Sequence, residues 1–332
     1  MRRVLVVGAG FFGGLVVSRL ESVGIAAVVA SRSGAGATVR LDAEDEASLR
    51  AVLRPGDIVV DTAGPFASRT TRLARAALQR GCDVIDLADS LVWSESVLAL
   101  DDRARTRGVR LFPSCSAVAA VAGACVRAAG MGSPESVDLF LAPASAETAS
   151  PATVRAFVAS LGQDIRTFRG GRLVTAVGFR ESRHFPGSRR AGGLVESAAA
   201  VLLPRAWPSL RRAEFWVDPN LPLGRTGLSL AARVPPLAAL GRTIALRIGP
   251  GPLGRHDGVF AVAVRDASRE AAFTLSAPRR SYLIAVEPAV IVAESLARGA
   301  TPAAGVVLPD AQVEPALLFA RLRALGVMTR AA

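Results

Sequence analysis

The residues with the clearest chemical potential lie near the start of the chain, where positions 8–13 read Gly-Ala-Gly-Phe-Phe-Gly. They follow an apolar run at 3–7 and precede a stretch of helical periodicity at 11–23. A G-x-G-x-x-G turn between a strand and a helix lets the backbone approach a pyrophosphate, which then meets N–H groups at the helix N-terminus. The sequence therefore predicts a dinucleotide site here, in preference to a purely structural turn.

The end of the second predicted strand, at 25–30, bears on the choice between NAD and NADP. An NAD site expects an acidic residue there to bind the ribose 2′-hydroxyl. This chain has Ser31, Arg32 and Ser33 instead. A guanidinium pairs with a 2′-phosphate and serine hydroxyls donate to it, so the sequence predicts NADP. The alternative is that Arg32 is an ordinary surface arginine in a loop.

A third segment, Asp-Thr-Ala-Gly-Pro-Phe at 61–66, follows the fourth predicted strand. Loops at the carboxyl edge of a parallel sheet contact ligands, and a glycine there allows close approach to the cofactor. A plain strand-ending turn would explain these residues nearly as well. The residues predicted to bind the cofactor are Gly8, Gly10, Phe11, Phe12, Gly13, Ser31, Arg32, Ser33, Ala63, Gly64 and Pro65.

Groups that could move a proton are few, because the chain has no lysine, one tyrosine and two histidines. The absence of lysine excludes Schiff-base catalysis and a Walker-type phosphate loop. The candidate catalytic residues are Tyr282, His184 and Asp86. Each has a structural alternative: a core edge residue, a solvated loop histidine, and a carboxylate that caps the next segment. The two histidines and three cysteines match no metal-binding pattern, and no metal is expected.

The formal net charge of +12 is unevenly distributed. Residues 1–135 hold 16 arginines against 14 acidic residues, whereas residues 136–332 hold 24 against 14. A small anionic substrate, an acyl chain on a phosphopantetheine carrier or an anionic membrane surface would suit this excess. Because only 5% of residues are aromatic, nucleic acid is not expected. Eight arginines are concentrated in one segment: 155, 166, 169, 172, 180, 183, 189 and 190.

The pattern of apolar residues predicts two domains in an α/β chain. Short strands alternate with helices over 1–130, which is typical of a Rossmann-type, doubly wound parallel sheet. Residues 131–283 predict an α+β domain on a mixed, largely antiparallel sheet, with a hairpin of 259–264 and 271–275 and helices at 153–161 and 194–202. Helices from about 284 to 332 are expected to pack back on the first domain. The apolar segment 221–248 reads either as a helix across the second sheet or as an amphipathic helix on a membrane.

Three segments together resemble the saccharopine dehydrogenase-like oxidoreductases. They are the early glycine turn, the Ala63-Gly64-Pro65-Phe66 loop, and residues 81–86, which end in Asp86 but carry Val84 where the family has an aromatic residue. Residues 112–116 resemble the family's proline-containing turn. The resemblance implies NADP binding and a second domain on a mixed sheet. It does not fix a substrate, since the family includes lysine-pathway and polyamine-pathway enzymes and lipid-directed trans-acting enoyl reductases.

These observations predict an NADP-dependent oxidoreductase that transfers a hydride to or from a small anionic or acyl substrate. The alternative is a catalytically inactive nucleotide-binding or membrane-associated regulatory protein with the same fold. Three cysteines without a leader peptide predict a reduced, cytoplasmic protein. Peripheral contact with a membrane and a homodimer both stay open.

Overall fold

The computed structural model describes residues 1–148, 159–220, 224–248 and 254–332. Contacts divide the chain into two units, the first formed by Met1–Gly123 with Ala285–Glu314 and the second by Ala124–Ile284 with Pro315–Ala332. The sequence places the domain boundary near residue 130 and packs the last helices on the first domain. Both stay predictions.

The first unit is built on a parallel sheet of seven strands. They are β1 (Val4–Val7), β2 (Ala27–Ser31), β3 (Val39–Arg40), β4 (Ile58–Asp61), β5 (Asp83–Asp86), β6 (Arg110–Phe112) and β15 (Gly305–Val306). Their order across the sheet is β15-β6-β5-β4-β1-β2-β3. The arrangement 3-2-1-4-5-6 is that of a doubly wound dinucleotide fold. The predicted fold class of the first domain is therefore confirmed.

Helices alternate with the strands of this unit, and two of them extend across its boundary with the second unit. They are α1 (Phe11–Ser22), α2 (Glu46–Val52), α3 (Arg72–Gln79), α4 (Leu91–Leu98), α5 (Asp101–Arg107), α6 (Ala122–Ala128), α10 (Leu283–Ala297) and α11 (Pro309–Gln312). The sequence predicts a single helix at 95–107, and this is wrong. Ser90 caps α4 by accepting a hydrogen bond from the Trp93 N–H, and Asp101 and Asp102 begin a separate α5.

The core of the first unit is the sheet itself, since β1, β4 and β5 are buried along their whole length. Continuous apolar runs are typical of parallel strands covered on both faces. An ion pair adds a polar link between two helices: Arg19 Nε on α1 lies 3.0 Å from the fully buried Glu287 Oε2 on α10. Burial of a carboxylate requires such a partner, because an uncompensated charge inside a protein is costly.

The second unit is built on a mixed sheet of nine strands, in the order β10-β11-β12-β7-β13-β14-β16, with β8 and β9 joined to β12. The strands are β7 (Ser136–Ala142), β8 (Asp164–Arg169), β9 (Arg172–Val177), β10 (Ser182–His184), β11 (Ala191–Val195), β12 (Arg212–Val217), β13 (Gly258–Arg265), β14 (Glu270–Ala277) and β16 (Met328–Ala331). Only the β7–β12 pair is parallel within this described sheet. The predicted mixed, largely antiparallel sheet and its β13–β14 hairpin are confirmed.

The helices of this unit are α7 (Ala199–Ala206), α8 (Gly224–Ala231), α9 (Pro235–Ile248) and α12 (Pro315–Ala324). The predicted helix at 194–202 is wrong, because Leu194 and Val195 continue β11 and the helix starts only at Ala199. Ser197 sets that start by accepting a hydrogen bond from the Ala199 N–H. Most of the predicted helix at 153–161, with Arg155, lies outside the described residues. Among the described helices none is long and apolar enough to cross a membrane.

Candidate functional site

The glycine-rich turn joins β1 to α1 and is closely packed against the loop that follows β4. Gly8 has a φ of +110°, a conformation that favours glycine. A Cβ at Gly13 would lie 1.7 Å from the carbonyl oxygen of Gly8, so only glycine fits there. A Cβ at Gly10 would meet nothing within 4 Å. The turn therefore holds α1 close to β1 and leaves an open approach at Gly10, as a pyrophosphate site requires.

The end of β2 brings together more positive charge than the sequence predicts. Arg40 is the register partner of Ser31, and Arg40 Nε donates to the Arg32 carbonyl oxygen at 3.1 Å. Both arginines are exposed. The loop that carries them folds towards the glycine turn, because a Cβ at Gly36 would lie 3.7 Å from the Ala9 Cβ. Two guanidinium groups thus lie at the carboxyl end of β2, where a 2′-phosphate is bound in this fold.

The loop after β4 is fixed beside the glycine turn by hydrogen bonds. Thr62 Oγ1 donates to the carbonyl oxygens of Val7 and Gly8, both at 3.0 Å. The Ala63 N–H donates to Asp61 at 3.0 Å. The Gly64–Pro65 peptide that follows is cis. The predicted cofactor residues of this loop therefore lie at the same carboxyl edge of the sheet as the glycine turn.

The side chain of Arg69 fixes the loop that follows β4. Its guanidinium forms two bonds with the buried Asp61 carboxylate, at 2.9 and 3.1 Å, and also donates to the Ala63 carbonyl oxygen. The same guanidinium lies 5.4 Å from the ring centre of Phe66 and 5.3 Å from that of Trp93. A planar guanidinium suits both a bidentate carboxylate and aromatic faces. The sequence reasoning missed this role of Arg69.

The structure places Asp86, a predicted catalytic residue, in a buried hydrogen-bond network. The backbone N–H groups of Ser114 and Ala88 donate to Oδ1 at 2.8 and 3.1 Å, and Trp93 Nε1 donates to Oδ2 at 3.1 Å. Burial raises the pKa of this carboxyl to about 7, against the opposing effect of those three donors. Asp86 thus orders the segments after β5 and β6, and a catalytic role for it stays a prediction.

A charged pocket opens on one face of the second unit's sheet and encloses about 110 Å³. Asp138 on β7 lies at its base and is 3% exposed. One carboxylate oxygen of Asp138, Oδ2, lies 3.0 Å from Arg183 Nη1 and 2.9 Å from Arg212 Nη2. The titratable residues that line the pocket are Asp138, Arg183, His184, Arg212, Arg265 and Glu270.

Two polar atoms of this pocket have no protein partner within the described residues. They are Asp138 Oδ1 and Arg212 Nε, and both are buried. Arg265 is exposed and has no ion-pair partner in the described part of the chain. Because unsatisfied buried polar atoms are costly, such atoms mark where water or a ligand completes the structure. The pocket can therefore offer guanidinium donors to an anion and one carboxylate oxygen to an N–H or O–H group.

Next to Asp138 on the sheet, a second acidic residue, Glu214, is paired with a different arginine. Glu214 is the register partner of Asp138 on the parallel strand β12. Arg169 Nε donates to Glu214 Oε1 at 2.7 Å, and Arg169 also pairs with Glu181 at 3.1 Å. Burial raises the pKa of Glu214, while Arg169 opposes the rise. Two arginines of the sequence cluster, 169 and 183, thus neutralise acids of this sheet.

The structure does not bring His184 and Tyr282 together. His184 lines the charged pocket near Glu270, at the start of β14. Tyr282 follows the other end of β14, a strand about 23 Å long, by five residues. Asp86 belongs to the first unit. The three predicted catalytic residues thus lie at three separate places in the structure. Their catalytic roles stay predictions.

Near Tyr282 lies a histidine–carboxylate pair that the sequence did not single out. His256 Nδ1 is 3.2 Å from Glu147 Oε1, and Glu147 Oε2 accepts a hydrogen bond from the Arg280 N–H at 2.8 Å. The neighbouring Asp257, which sequence proximity favours as the partner of His256, instead bonds Arg255 Nε at 2.8 Å. Since 109 residues separate Glu147 from His256, no local pattern could have predicted this pair.

A family model matches part of the first unit. Residues 4–111 match the family model of the saccharopine dehydrogenase NADP-binding domain. This part of the chain is therefore similar to a saccharopine dehydrogenase NADP-binding domain. The match confirms the predicted resemblance over these residues. A comparison with curated proteins finds no match.

Several solved structures resemble the whole chain at low identity. GenD2 from gentamicin A biosynthesis, in complex with NAD, is 16% identical with a TM-score of 0.44, and covers 100% of this chain and 97% of its own. Dihydrodipicolinate reductase from Paenisporosarcina sp. TG-14 is 12% identical with a TM-score of 0.41, covering 92% and 97%. UDP-N-acetylglucosamine 3-dehydrogenase GnnA from Acidithiobacillus ferrooxidans is 13% identical with a TM-score of 0.40, covering 97% and 95%. Likenesses this distant carry no argument about activity.

The residues of the first unit fit a nicotinamide dinucleotide. The open approach at Gly10 and the fixed loop at 62–65 lie at one sheet edge, and Arg32 and Arg40 lie at the end of β2. Sequence reasoning missed Arg40, whose only signal is its place as the last residue of a two-residue third strand. Among the described residues no group of three or more His, Cys, Asp or Glu side chains could hold a metal ion.

Proposed function

We propose that this chain is an NADP-dependent oxidoreductase that transfers a hydride to or from a small anionic substrate. The observation that carries the proposal is the pair of exposed arginines, Arg32 and Arg40, at the carboxyl end of β2. An NAD site has a carboxylate at that position, and a carboxylate would repel a 2′-phosphate. A guanidinium pair favours the phosphorylated cofactor.

The chain's own residues would bind and orient this cofactor. The backbone at Gly10 and the first turn of α1 would accept the pyrophosphate, and Arg32, Arg40, Ser31 and Ser33 the 2′-phosphate. The nicotinamide supplies the hydride chemistry when bound. The loop at 62–65 is held by Thr62 and Arg69, so it would contact the cofactor without having to be ordered first.

An anionic substrate is supported by the charge of the second unit. Its pocket carries three guanidinium groups against two carboxylates. Arg265 has no ion-pair partner in the described residues, and Arg212 Nε has no bond there. Arginine binds carboxylate and phosphate groups through parallel N–H bonds. The acyl class of substrate, by contrast, has only the sequence resemblance behind it.

Two groups of the second unit are the proposed proton donors. His184 lines the charged pocket and is exposed, so a substrate anion held by Arg265 would lie next to an imidazole. Tyr282 is half-buried at the other end of β14. An imidazole can both donate and accept a proton, which suits proton transfer.

The test is oxidation of NADPH by the full chain, followed by the absorbance of the reduced nicotinamide. The substrates would be small oxo-, imino- and enoyl-carboxylates, each paired with its neutral amide. We expect turnover with at least one acid and at least about tenfold less with its amide, because the amide cannot pair with a guanidinium. The variant His184→Gln should lower kcat more than KM, and the buried-face variant Ser94→Ala serves as an unrelated control.

The same measurement also tests a second function, that of a nucleotide-binding protein without catalysis. It is favoured by Asp86, because both oxygens of that carboxyl already accept hydrogen bonds from N–H donors of the protein. Tight NADPH binding without turnover of any acid in the panel would support this alternative. Absence of NADPH binding would contradict both functions.

A further inference from the structure

Helices α8 and α9 expose an unusual amount of apolar surface. Leu230 is 60% exposed, Val234 40%, Leu237 44% and Leu240 55%. Leu237 and Leu240 are three residues apart on α9 and therefore share a face. Isolated exposed leucines are ordinary, but large apolar side chains grouped within eleven residues mark a surface that contacts something. We refer to these four residues as the leucine patch.

Small residues are buried in the described part of the same segment. Ala232 and Ala238 are buried, and a Cβ at Gly162 would lie 2.7 Å from the Ala238 Cβ. A Cβ at Gly241 would lie 3.4 Å from Leu161. A helix of a water-soluble protein normally buries its leucines and exposes its small or polar residues. Here three leucines are exposed while two alanines are buried, which favours an environment other than water for the leucine patch.

Charge indicates which environment that is. The sequence has no acidic residue between Asp218 and Asp257, while arginines occur at 225, 242 and 247 in the two helices and at 233 in the turn between them. Arg233 is exposed and lies between Leu230 and Val234. Apolar side chains interleaved with arginine, without any carboxylate, are typical of helices that lie in the headgroup layer of an anionic membrane.

A second copy of this chain fits the patch less well. The net charge is +12 and the patch segment itself is purely cationic, so two such faces would repel each other. An apolar protein partner would explain the leucines but not the absence of acidic residues over the whole segment. An anionic lipid surface explains both features, because it offers acyl chains to the leucines and phosphates to the arginines.

We propose that α8 and α9 bind the surface of membranes that contain anionic phospholipids. Leu230, Leu237 and Leu240 would enter the boundary between headgroups and acyl chains, and Arg233 would contact lipid phosphates. The binding is peripheral, since no described helix is long and apolar enough to cross a bilayer. This inference is independent of the cofactor and substrate proposed above.

Flotation of the full-length protein with vesicles tests the proposal. One set of vesicles contains phosphatidylcholine alone, and the other contains phosphatidylcholine with phosphatidylglycerol. We expect the protein to float with the anionic vesicles at low salt, to float little with the neutral ones, and to be released as salt rises. The double variant Leu237→Ser/Leu240→Ser should lower the bound fraction about tenfold, and Arg233→Glu should lower it on anionic vesicles only.

A matched control is available on α12, where Leu317 is 47% exposed outside the patch. The variant Leu317→Ser should bind anionic vesicles as the wild type does, and thermal unfolding of each variant shows that it is folded. Failure of the wild type to float with phosphatidylglycerol overturns the proposal, as does an equal loss in Leu317→Ser. A wild-type dimer that Leu237→Ser/Leu240→Ser converts to a monomer would also overturn it, because a second copy would then cover the patch.

Discussion

Asp61 and Asp86 are direct register partners on the parallel strands β4 and β5, and the two buried carboxyl groups are accommodated in different ways. Asp61 is paired with the Arg69 guanidinium at 2.9 Å. Asp86 forms no ion pair with any described residue and accepts three N–H bonds instead. Burial, together with the nearby Asp61 charge, favours the neutral form of Asp86, so this carboxyl is expected to titrate near neutral pH.

The raised pKa of Asp86 predicts a pH-dependent stability. Burial raises the pKa of Asp86 from the ordinary 3.8 to about 7, so the folded state holds the proton more tightly. Its contribution is fully present below the unfolded pKa and is lost as pH rises through about 7. We expect the free energy of unfolding to fall by about 2–3 kcal/mol from this group between about pH 5 and pH 8.

Denaturant unfolding at several pH values checks this prediction. Asp86→Asn should flatten the decline relative to the wild type, because the amide does not titrate. Asp102→Asn, at an exposed position on α5, should leave the decline unchanged. A pH dependence that is the same in Asp86→Asn and the wild type would show that the carboxyl does not carry a raised pKa.

The glycine turn allows a test with two adjacent glycines of α1. Gly13→Ala places a methyl group 1.7 Å from the Gly8 carbonyl oxygen and forces the helix away from β1. We expect a loss of several kcal/mol of stability and at least about tenfold weaker cofactor binding. Gly14→Ala meets nothing within 4 Å and should be neutral or stabilise the helix by up to about 1 kcal/mol. Similar unfolding midpoints for the two variants would contradict the close packing at Gly13.

The ion pairs of Asp138 in the charged pocket give a prediction about stability. Asp138 neutralises both Arg183 and Arg212, so Asp138→Asn leaves two neighbouring guanidinium groups without their shared carboxylate. The pair is partly exposed, with 38% and 25% exposure of the arginine side chains, which screens their repulsion. We expect a loss of about 1–3 kcal/mol in chemical unfolding. Asp164→Asn, on the exposed part of β8, should change stability little, and an equal effect of both variants would refute the role of Asp138.

The sequence predicts the first sheet well, because its strands are continuous apolar runs followed by turn residues. It also predicts the glycine turn, since three glycines at fixed spacing leave a local pattern. The pairs Arg69–Asp61 and His256–Glu147 leave no such pattern, because they form only after the strands are side by side. Arg40 is hidden for a similar reason: β3 is two residues long, and its neighbour Ser31 is known only from the sheet register. The charged pocket combines residues from β7, β10, β12, β13 and β14, which no spacing reveals.

The central claim is that the arginines after β2 select the phosphorylated cofactor, and calorimetric titration with NADPH and NADH tests it most directly. We predict that the wild type binds NADPH at least about tenfold more tightly than NADH. Arg32→Ala should lose about 10- to 100-fold in NADPH affinity with little change for NADH, whereas Arg103→Ala, at an exposed position on α5, should change neither. Equal affinity of the wild type for both cofactors, or an Arg32→Ala variant that still prefers NADPH, would contradict the account.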